Sequence, residues 1–585
     1  MAEAVGLVTK WLRLPGSHAQ LLPIQVRCLT EAFNYRRLIA LVGAGGGKTN
    51  ISFLLPTVLD VERTLLLLPA KLIRKTHADH DYWSQHFRMP PLWSADDTIP
   101  TSGPVMRVLS YESLSRVNFS SFLDEYEPQL LICDEAHRIS RMSSGRTKRL
   151  FRYVKTARKA GRDVIVVPMT GTVWRKRVSE AATLFECALQ DQSTLPTDYP
   201  NLEGWGYCLD EGVREDVRYS PGALRRLCPE DDPSLDEVRR GVRHRLLSCP
   251  GIVATAEGET VPIPLTLQAR PIQVPDVVRE AMAKLKTDYQ LPNGDDAGDG
   301  VQVWAHAREI GCGFSYRFDP VPPKPWTEAR RAWNGFVRAK IDWPGKGTPC
   351  DTPLQVWQGV EAGRWGTVPE YVAWQAIKDS FRPKTACDWL SDFLVKDAEE
   401  WALANDGLVW IPHATAYAEA GLDPEADTEA AGRAFTRIPF FGAGDNRIEK
   451  HRGACAASMR SHGEGKNLTA WDKALFLMPP SSGATMEQVL ARLHRKGQLS
   501  DQVEYFFYAH TIEAVRALAT AQSDARFMES MSGNPQRILT STILDADDGV
   551  FDPHRYLEAQ DPQDPLWSPP GRRQSVDPRS VLENA

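Results

Sequence analysis

The sequence predicts an α/β fold built from two parallel sheets in tandem. Short apolar runs alternate with helical patterns in two separate series, which is typical of parallel strands joined by helices. The first series comprises residues 38–43, 64–68, 105–109, 130–133 and 164–167. The second comprises residues 408–411, 454–459, 474–478 and 503–509, with a helix expected at 486–496. The 585 residues are ample for several domains.

These two series predict a first domain over residues 1–260 and a second over residues 261–545. Ten of the 17 tryptophans lie between Trp304 and Trp410, within a largely helical pattern. We therefore expect a helical, Trp-rich insertion at about 290–385 of the second domain. Residues 546–585 carry repeated Asp-Pro pairs and little apolar periodicity, which predicts a disordered tail.

Composition excludes several classes of protein. With 42% hydrophobic and 25% charged residues the chain matches soluble globular proteins and not disordered or fibrous ones. Its apolar runs are far shorter than the roughly 20 residues of a membrane span, and the first residues lack a secretory pattern. Ten scattered cysteines without a C-x-x-C pair predict reduced thiols. We expect a cytoplasmic protein with no membrane partner.

A glycine-rich loop follows the first predicted strand. Glycines let backbone N–H groups curl around phosphate oxygens, a lysine reaches the β- and γ-phosphates, and a hydroxyl binds Mg²⁺. Val42 departs from the strict G-x-x-x-x-G-K-[ST] pattern, and a looser x-x-x-G-x-G-K-T form is met. The expected ATP ligands in this loop are Gly43, Gly45, Gly46, Gly47, Lys48 and Thr49.

An acidic pair ends the fourth predicted strand. Asp134 and Glu135 follow the apolar run at residues 129–133. A carboxylate at the end of a buried strand beside a phosphate loop holds Mg²⁺, and a neighbouring glutamate polarises the attacking water. We therefore expect Asp134 and Thr49 to bind the metal and Glu135 to act as the base.

The string Asp134-Glu135-Ala136-His137 is a D-E-A-H box. Together with the glycine-rich loop it resembles motifs II and I of superfamily 2 helicases and translocases. Further segments resemble this family in the right order: the adenine-binding glutamine (Gln25), motif Ia (residues 65–72), motif Ib (residues 109–112) and motif III (residues 170–172).

The second half narrows the resemblance to Swi/Snf-type ATPases. Residues 458–472, with Gly-Glu-Gly-Lys-Asn-Leu-Thr-Ala at their centre, are similar to motif V. Residues 488–498, with the pattern Q-x-x-x-R-x-H-R-x-G-Q, are similar to motif VI, although Ala491 stands where many relatives have glycine. The resemblance covers residues 20–180 and 400–525 and implies two RecA-like domains.

The resemblance also implies a mechanism. ATP with Mg²⁺ lies between two such domains, with Lys48, Asp134 and Glu135 on one side and Arg492 and Arg495 on the other. An arginine that reaches the γ-phosphate only when the domains close couples closure to hydrolysis. Gln488 is implied to sense the nucleotide state.

Nucleic-acid contacts are predicted at several places. The motif positions give Lys71, Arg74, Ser110, Tyr111, Thr170, Arg460, Lys466 and Asn467. Residues 138–162 hold ten Lys and Arg and no Asp or Glu, which fits either phosphate contacts or a solvated basic helix. The clustered tryptophans either stack on single-stranded bases or form a core. His137 and His494 are open to a functional or a packing role.

The predicted function is an ATP-dependent DNA helicase or translocase that moves on duplex or branched DNA in replication, recombination or repair. Two alternatives stay open: a DNA-binding or recruitment protein switched by nucleotide, and the motor subunit of a restriction or defence complex. The compact chain without chromatin-reading modules suggests a bacterial or phage-encoded protein. The net charge of −6 argues against binding through bulk positive charge.

Overall fold

The structure is a computed structural model of the chain. It describes residues 2–43, 46–93, 103–115, 119–140, 144–171, 173–211, 213–230, 233–255, 263–294, 297, 300–341, 353–382, 384–419, 435 and 437–569. Gly45 of the predicted phosphate loop and residues 570–585 of the predicted tail lie outside these ranges.

Strands and helices alternate along most of the chain. The strands are β1 Ile39–Leu41, β2 Arg63–Leu68, β3 Val105–Ser110, β4 Leu130–Asp134, β5 Ile165–Met169, β6 Ile252–Ala254, β7 Leu265–Arg270, β8 Phe314–Asp319, β9 Lys384–Trp389, β10 Leu408–Ile411, β11 Phe440–Phe441, β12 Cys455–Ser458, β13 Lys473–Phe476, β14 Val503–Tyr508 and β15 Thr542–Leu544. The helices are α1 Ala2–Leu12, α2 Pro23–Tyr35, α3 Lys48–Leu59, α4 Ile73–Trp83, α5 Phe119–Tyr126, α6 Gly145–Lys159, α7 Ser179–Leu189, α8 Tyr199–Leu209, α9 Leu235–Leu247, α10 Asp276–Asp288, α11 Gly300–Gly311, α12 Lys324–Ile341, α13 Pro353–Glu361, α14 Pro369–Ile377, α15 Phe393–Asn405, α16 Ala414–Glu419, α17 Met459–His462, α18 Gly483–Leu493, α19 Ile512–Ser532, α20 Arg537–Thr540 and α21 Pro553–Glu558.

The chain divides into two compact units, and each contains one large parallel sheet. Unit 1 comprises Met1–Thr260, Pro323–Phe381 and Asp524–Gln536, and unit 2 comprises Val261–Pro322, Arg382–Ser523 and Arg537–Ala585. The predicted α/β class with two parallel sheets is confirmed.

The sheet of unit 1 has six parallel strands in the order β3-β2-β4-β5-β1-β6. Strand β4 is buried at every position except its last residue, Asp134, and β5 is buried throughout, as expected for a sheet covered on both faces. The register pairs Met169 of β5 with both Ala40 of β1 and Asp134 of β4. The carboxyl ends of β1, β4 and β5 therefore meet at one edge, where ligands of open α/β sheets bind.

The sheet of unit 2 has seven parallel strands in the order β11-β12-β10-β13-β14-β7-β15. Interior strand β10 is fully buried, and its register with β12 and β13 brings the segments after Ile411, Ser458 and Phe476 to the same edge. Strand β7 alternates buried and partly exposed residues, so its sequence, Leu-Thr-Leu-Gln-Ala-Arg, lacks the continuous apolar run of its neighbours.

The Trp-rich segment contains a small helical core. Helices α12 and α13 contribute Trp333, Val337, Val356 and Val360 to one buried cluster, and Val368, the residue before α14, completes it. Trp357, Trp365 and Trp374 pack against that cluster. Of the two interpretations of these tryptophans, the packing favours the core, since the rings are committed to contacts within the segment.

The segment that the sequence assigned to a disordered tail is ordered over residues 546–569. The Asp552 carboxylate accepts the backbone N–H groups of His554 and Arg555 and so caps α21. Leu566 is buried in a cluster with residues of α10 and α11, and the Arg279 guanidinium lies 3.0 Å from the Asp564 carboxylate. The prediction of disorder was wrong for residues 546–569, because the Asp-Pro pair at 552–553 starts α21 and the pairs at 561–562 and 564–565 lie in tight turns.

Two further sequence expectations concern bilayers and thiols. Within the described ranges, none of the helices combines the length and the apolarity that crossing a bilayer requires. None of the nine cysteines in those ranges forms a disulfide, and six of them are buried.

Candidate nucleotide-binding site

The phosphate loop connects β1 to the N-terminus of α3. Gly47 caps the helix in the left-handed conformation, with φ of 75°. A Cβ at this position would lie 2.2 Å from the side-chain nitrogen of Gln25, so both the backbone and the space require glycine. Gly46 donates its N–H to the Gly43 carbonyl across the turn at 3.3 Å. Thr49, the second residue of the helix, is partly exposed.

Gln25 is held against this loop. Its side-chain oxygen accepts the N–H of Leu22 at 2.8 Å, and its side-chain nitrogen donates to the Gly47 carbonyl at 3.1 Å. Only 2% of the residue is exposed. The glutamine that the motif suggested as an adenine ligand thus contacts the phosphate loop directly.

Lys48 connects the loop to the acidic pair of β4. Its ammonium donates to the Val42 carbonyl at 3.1 Å and lies 3.5 Å from Oε1 of Glu135. Both side chains are only slightly exposed, at 12% for Lys48 and 20% for Glu135. A cation and a carboxylate are therefore brought together at the N-terminus of α3, which itself favours negative charge.

The acidic pair sits at the point where β4 ends. Glu135 adopts φ of 55° and caps the short 3-10 turn Ala136–Ile139, so the extended backbone of β4 ends at this residue. The Asp134 carboxylate accepts the N–H of Glu135 at 3.1 Å. Burial, with the negative charge of Glu135 second, raises the pKa of Asp134 to about 7. A nearby cation stabilises the ionised form of Asp134, which burial and the negative charge of Glu135 disfavour.

His137 and Thr170 extend the site to the end of β5. Nδ1 of His137 lies 3.5 Å from Oε2 of Glu135 and 3.3 Å from the Thr170 hydroxyl oxygen. Both residues are buried. Gly171 follows so closely that a Cβ there would lie 3.1 Å from Cα of Gly43. The motif III segment therefore packs directly on the phosphate loop.

Three residues that were not predicted as ATP or metal ligands support the site. The Tyr111 hydroxyl donates to the Asp134 carbonyl at 2.7 Å. The Thr255 hydroxyl accepts the N–H of Gly43 at 3.0 Å, and the Asn534 amide donates to the Leu41 carbonyl at 3.4 Å. Thr255 and Asn534 lie more than 200 residues from the loop in sequence, so no local pattern could have identified them.

The structure corrects the prediction that Tyr111 contacts nucleic acid. Its side chain is fully buried in the core of unit 1, and burial raises its pKa well above the ordinary value. Ser110 is also buried, with its hydroxyl 3.3 Å from that of Ser113, and Thr170 is 1% exposed. These three motif residues are therefore interior contacts, whereas Lys71 and Arg74 are exposed.

In unit 2 the two motif VI arginines converge on the motif V segment. Arg492 donates to the Lys466 carbonyl at 2.9 Å, and Arg495 donates to the same oxygen at 3.2 Å. Helix α18 ends at Leu493, so Arg495 lies in the turn that follows the helix. The sequence predicted a helix over residues 486–496, which would have included Arg495. Desolvation, with the positive charge of Arg537 second, lowers the pKa of Arg495.

The remaining predicted residues of unit 2 surround this point. The Lys466 ammonium lies 3.0 Å from the Glu449 carboxylate. Arg460 and Asn467 are exposed, and Gln488 is partly exposed with its carbonyl accepting Nε of Arg492. His494 donates Nε2–H to the Ile263 carbonyl at 2.7 Å, which favours its packing role.

The residues of unit 1 fit a nucleotide with a divalent cation. Backbone N–H groups at the start of α3, one lysine and two adjacent carboxylates are the donor set that phosphates and Mg²⁺ need. Asn50 is the residue after Thr49. Its Oδ1 is buried and has no hydrogen-bond partner among the described residues. A buried acceptor of this kind is costly unless a ligand or water satisfies it.

Neither the protein-family models nor the curated proteins provide a match to this chain. The interpretation of the site therefore depends on its own residues and on the motifs they form.

Proposed function

We propose that this chain is an ATP-dependent DNA helicase or translocase with two RecA-like domains. The contact of Lys48 with Glu135 beside Asp134, at the N-terminus of α3, carries the proposal. That arrangement combines a phosphate-binding cation, a metal-binding carboxylate and a base within one sheet edge. The motif V and VI strings favour a DNA motor over an RNA helicase.

Each side chain has a chemical role in the proposal. Lys48 and the N–H groups of residues 46–49 bind phosphate oxygens, while Asp134 and Thr49 hold Mg²⁺. Bound MgATP supplies the phosphoanhydride bond and a cation that neutralises its charge. Glu135 accepts the proton of the attacking water, and His137 holds the carboxylate from its other oxygen at 3.5 Å.

Arg492 and Arg495 are proposed to neutralise the charge that develops on the γ-phosphate, a role worth about 10³–10⁵ in hydrolysis rate. Their shared acceptor, the Lys466 carbonyl, supports a link between motif VI and motif V. If Lys466, Arg460 and Asn467 contact DNA, the affinity for DNA changes with the nucleotide state.

Nucleic-acid-stimulated ATP hydrolysis tests the proposal. The wild type and Lys48→Ala are compared with duplex DNA, a fork, single-stranded DNA and RNA at one fixed salt concentration, because phosphate contacts depend on salt. We expect stimulation by DNA that Lys48→Ala abolishes. Hydrolysis that is absent with every DNA, or equal in the two proteins, would refute the proposal.

Motion is tested separately. Displacement of the third strand of a DNA triplex, dependent on ATP hydrolysis, is expected of a translocase. A protein that binds DNA differently with and without nucleotide, and displaces neither a third strand nor a fork strand, is instead a nucleotide-switched binding protein.

A further inference from the structure

Helix α6 carries a row of basic side chains on its outer face. Lys148, Arg152, Lys155 and Lys159 are spaced by four, three and four residues, which keeps them within about 60° of arc on an α-helix. Arg152, Lys155 and Lys159 are exposed, and Lys148 is partly exposed. We call these four residues the basic stripe.

The basic stripe lies opposite the buried face of the same helix. That face comprises Leu150, Tyr153, Val154 and Ala157, together with Thr147. Because helical residues advance by about 100° each, the centres of the two faces are about half a turn apart. The core side of α6 is thus satisfied by packing, and the stripe is what the helix presents outward.

Three other basic residues of this region contact neighbouring segments. Arg149 donates to the Leu114 carbonyl at 2.6 Å, Arg158 to the Val164 carbonyl at 2.7 Å, and Arg162 lies 2.7 Å from the Glu127 carboxylate. These three arginines therefore join α6 and the turn after it to neighbouring segments, whereas Arg152, Lys155 and Lys159 of the basic stripe are exposed.

Like charges at these spacings weaken an isolated helix, and residues 138–162 contain no acidic residue to offset them. On helix α7, burial raises the pKa of Glu186, and the positive charge of Lys155 partly offsets this rise. A solvated helix usually mixes both signs of charge, so a single-sign row indicates a polyanionic partner.

We propose that the basic stripe binds the phosphate backbone of duplex DNA, outside the motif positions. The stripe is about 16 Å long, and a duplex presents one negative charge per about 1.7 Å of its axis. None of the large apolar side chains of α6 is exposed, which disfavours a protein partner with an apolar anchor. An exposed aromatic ring that would stack on single-stranded bases is likewise absent from this described helix.

This inference rests on the proposed function for its partner, and its test is independent of ATP. The stripe variant Lys148→Gln, Arg152→Gln, Lys155→Gln, Lys159→Gln is compared with the wild type for binding to a short blunt-ended duplex without nucleotide. The control variant Arg225→Gln, Arg226→Gln, Arg240→Gln, Arg245→Gln removes the same charge from other exposed positions of unit 1. Circular dichroism confirms that all three proteins fold.

The salt dependence of binding is the decisive measurement. We expect the slope of log affinity against log salt to fall in magnitude by about 3–4 in the stripe variant, with little change in the control. An unchanged slope, an equal fall in the control, or binding to polyglutamate through the stripe with duplex binding unaltered would overturn the inference. A wild type that binds duplex through the stripe but hydrolyses no ATP would refute the proposed function alone.

Discussion

The Lys48 ammonium and the Glu135 carboxylate lie 3.5 Å apart in unit 1, although 86 residues separate them in sequence. The other carboxylate oxygen of Glu135 faces His137, also at 3.5 Å. Glu135 therefore divides its two oxygens between a phosphate-binding lysine and a buried imidazole. This arrangement orients the carboxylate before any substrate is bound, which lowers the cost of positioning it for proton transfer.

Glu135→Gln is expected to separate nucleotide binding from hydrolysis. The amide keeps the shape of the side chain but cannot accept a proton, so kcat for ATP should fall by about 10²–10⁴. Nucleotide affinity, measured with a fluorescent ATP analogue, should remain within a few-fold of wild type, whereas Lys48→Ala should lose it. The exposed Glu125→Gln serves as the control. Unchanged hydrolysis in Glu135→Gln would remove this residue from the chemistry.

Gly171→Ala is expected to disturb the phosphate loop. The added Cβ would lie 3.1 Å from Cα of Gly43 and 3.2 Å from the Val42 carbonyl, and both are backbone atoms that cannot rotate away. We expect the KM for ATP to rise several-fold. Gly204→Ala is the control, because this glycine of α8 has nothing within 4 Å of its Cβ position. An alanine there should leave the KM unaltered and stabilise the helix by about 0.5–1 kcal/mol.

The sequence predicted the strands that are continuous apolar runs. The expected strand at 408–411 is β10 itself, and the runs at 64–68, 105–109 and 130–133 differ from β2, β3 and β4 by one residue at an end. Strand β7 escaped prediction because Thr266 and Gln268 interrupt its apolar residues. Edge strands β6 and β15 have three residues each, too few for a pattern.

The candidate site was predictable only where it forms a local motif. Lys48, Asp134 and Glu135 are recognisable because each lies at a fixed position relative to the end of a strand. Burial is not visible in a motif, which is why Tyr111 was assigned to nucleic acid although its hydroxyl holds the Asp134 carbonyl. Asn534 reaches Leu41 through the fold of a segment almost 500 residues later, and no single-sequence pattern encodes such a pairing.

Tyr111→Phe tests this correction. Removing the hydroxyl leaves the Asp134 carbonyl without its donor, so the free energy of unfolding should fall by about 1–2 kcal/mol. Thermal unfolding measures this loss, and a parallel titration with duplex DNA should give the wild-type affinity because the ring is fully buried. Weaker DNA binding with unaltered stability would restore Tyr111 to the nucleic-acid surface.

Leu566→Ala tests the ordered part of the C-terminal segment. Leu566 is 2% exposed, and its carbonyl accepts the N–H of Ile512 at 2.9 Å. Truncation of such a side chain should destabilise unit 2 by about 2–4 kcal/mol, measured by urea unfolding. Leu499→Ala is the matched control, since Leu499 is 95% exposed. Equal stability of the two variants would mean that residues 546–569 contribute nothing to the core.

His510 should make unit 2 sensitive to mild acid. Its Nε2–H donates to the Gly311 carbonyl at 2.8 Å, while Nδ1 is buried with no partner among the described residues. Burial lowers the pKa of His510 to about 4. Protonation would place an uncompensated charge in the interior, so the folded state resists it.

The direction of the pH effect follows from that lowered pKa. Between about pH 6.5 and pH 4 the unfolded chain binds a proton that the folded chain does not, so stability is complete above this window and is lost as pH falls through it. At pH 5 the loss from this one histidine is about 1–2 kcal/mol relative to pH 7. In His510→Gln the amide keeps a donor for Gly311 but does not titrate, so urea unfolding should depend less on pH by that amount. The exposed His18→Gln should retain the wild-type pH dependence, and an equal pH dependence in His510→Gln would show that His510 does not resist protonation in the folded chain.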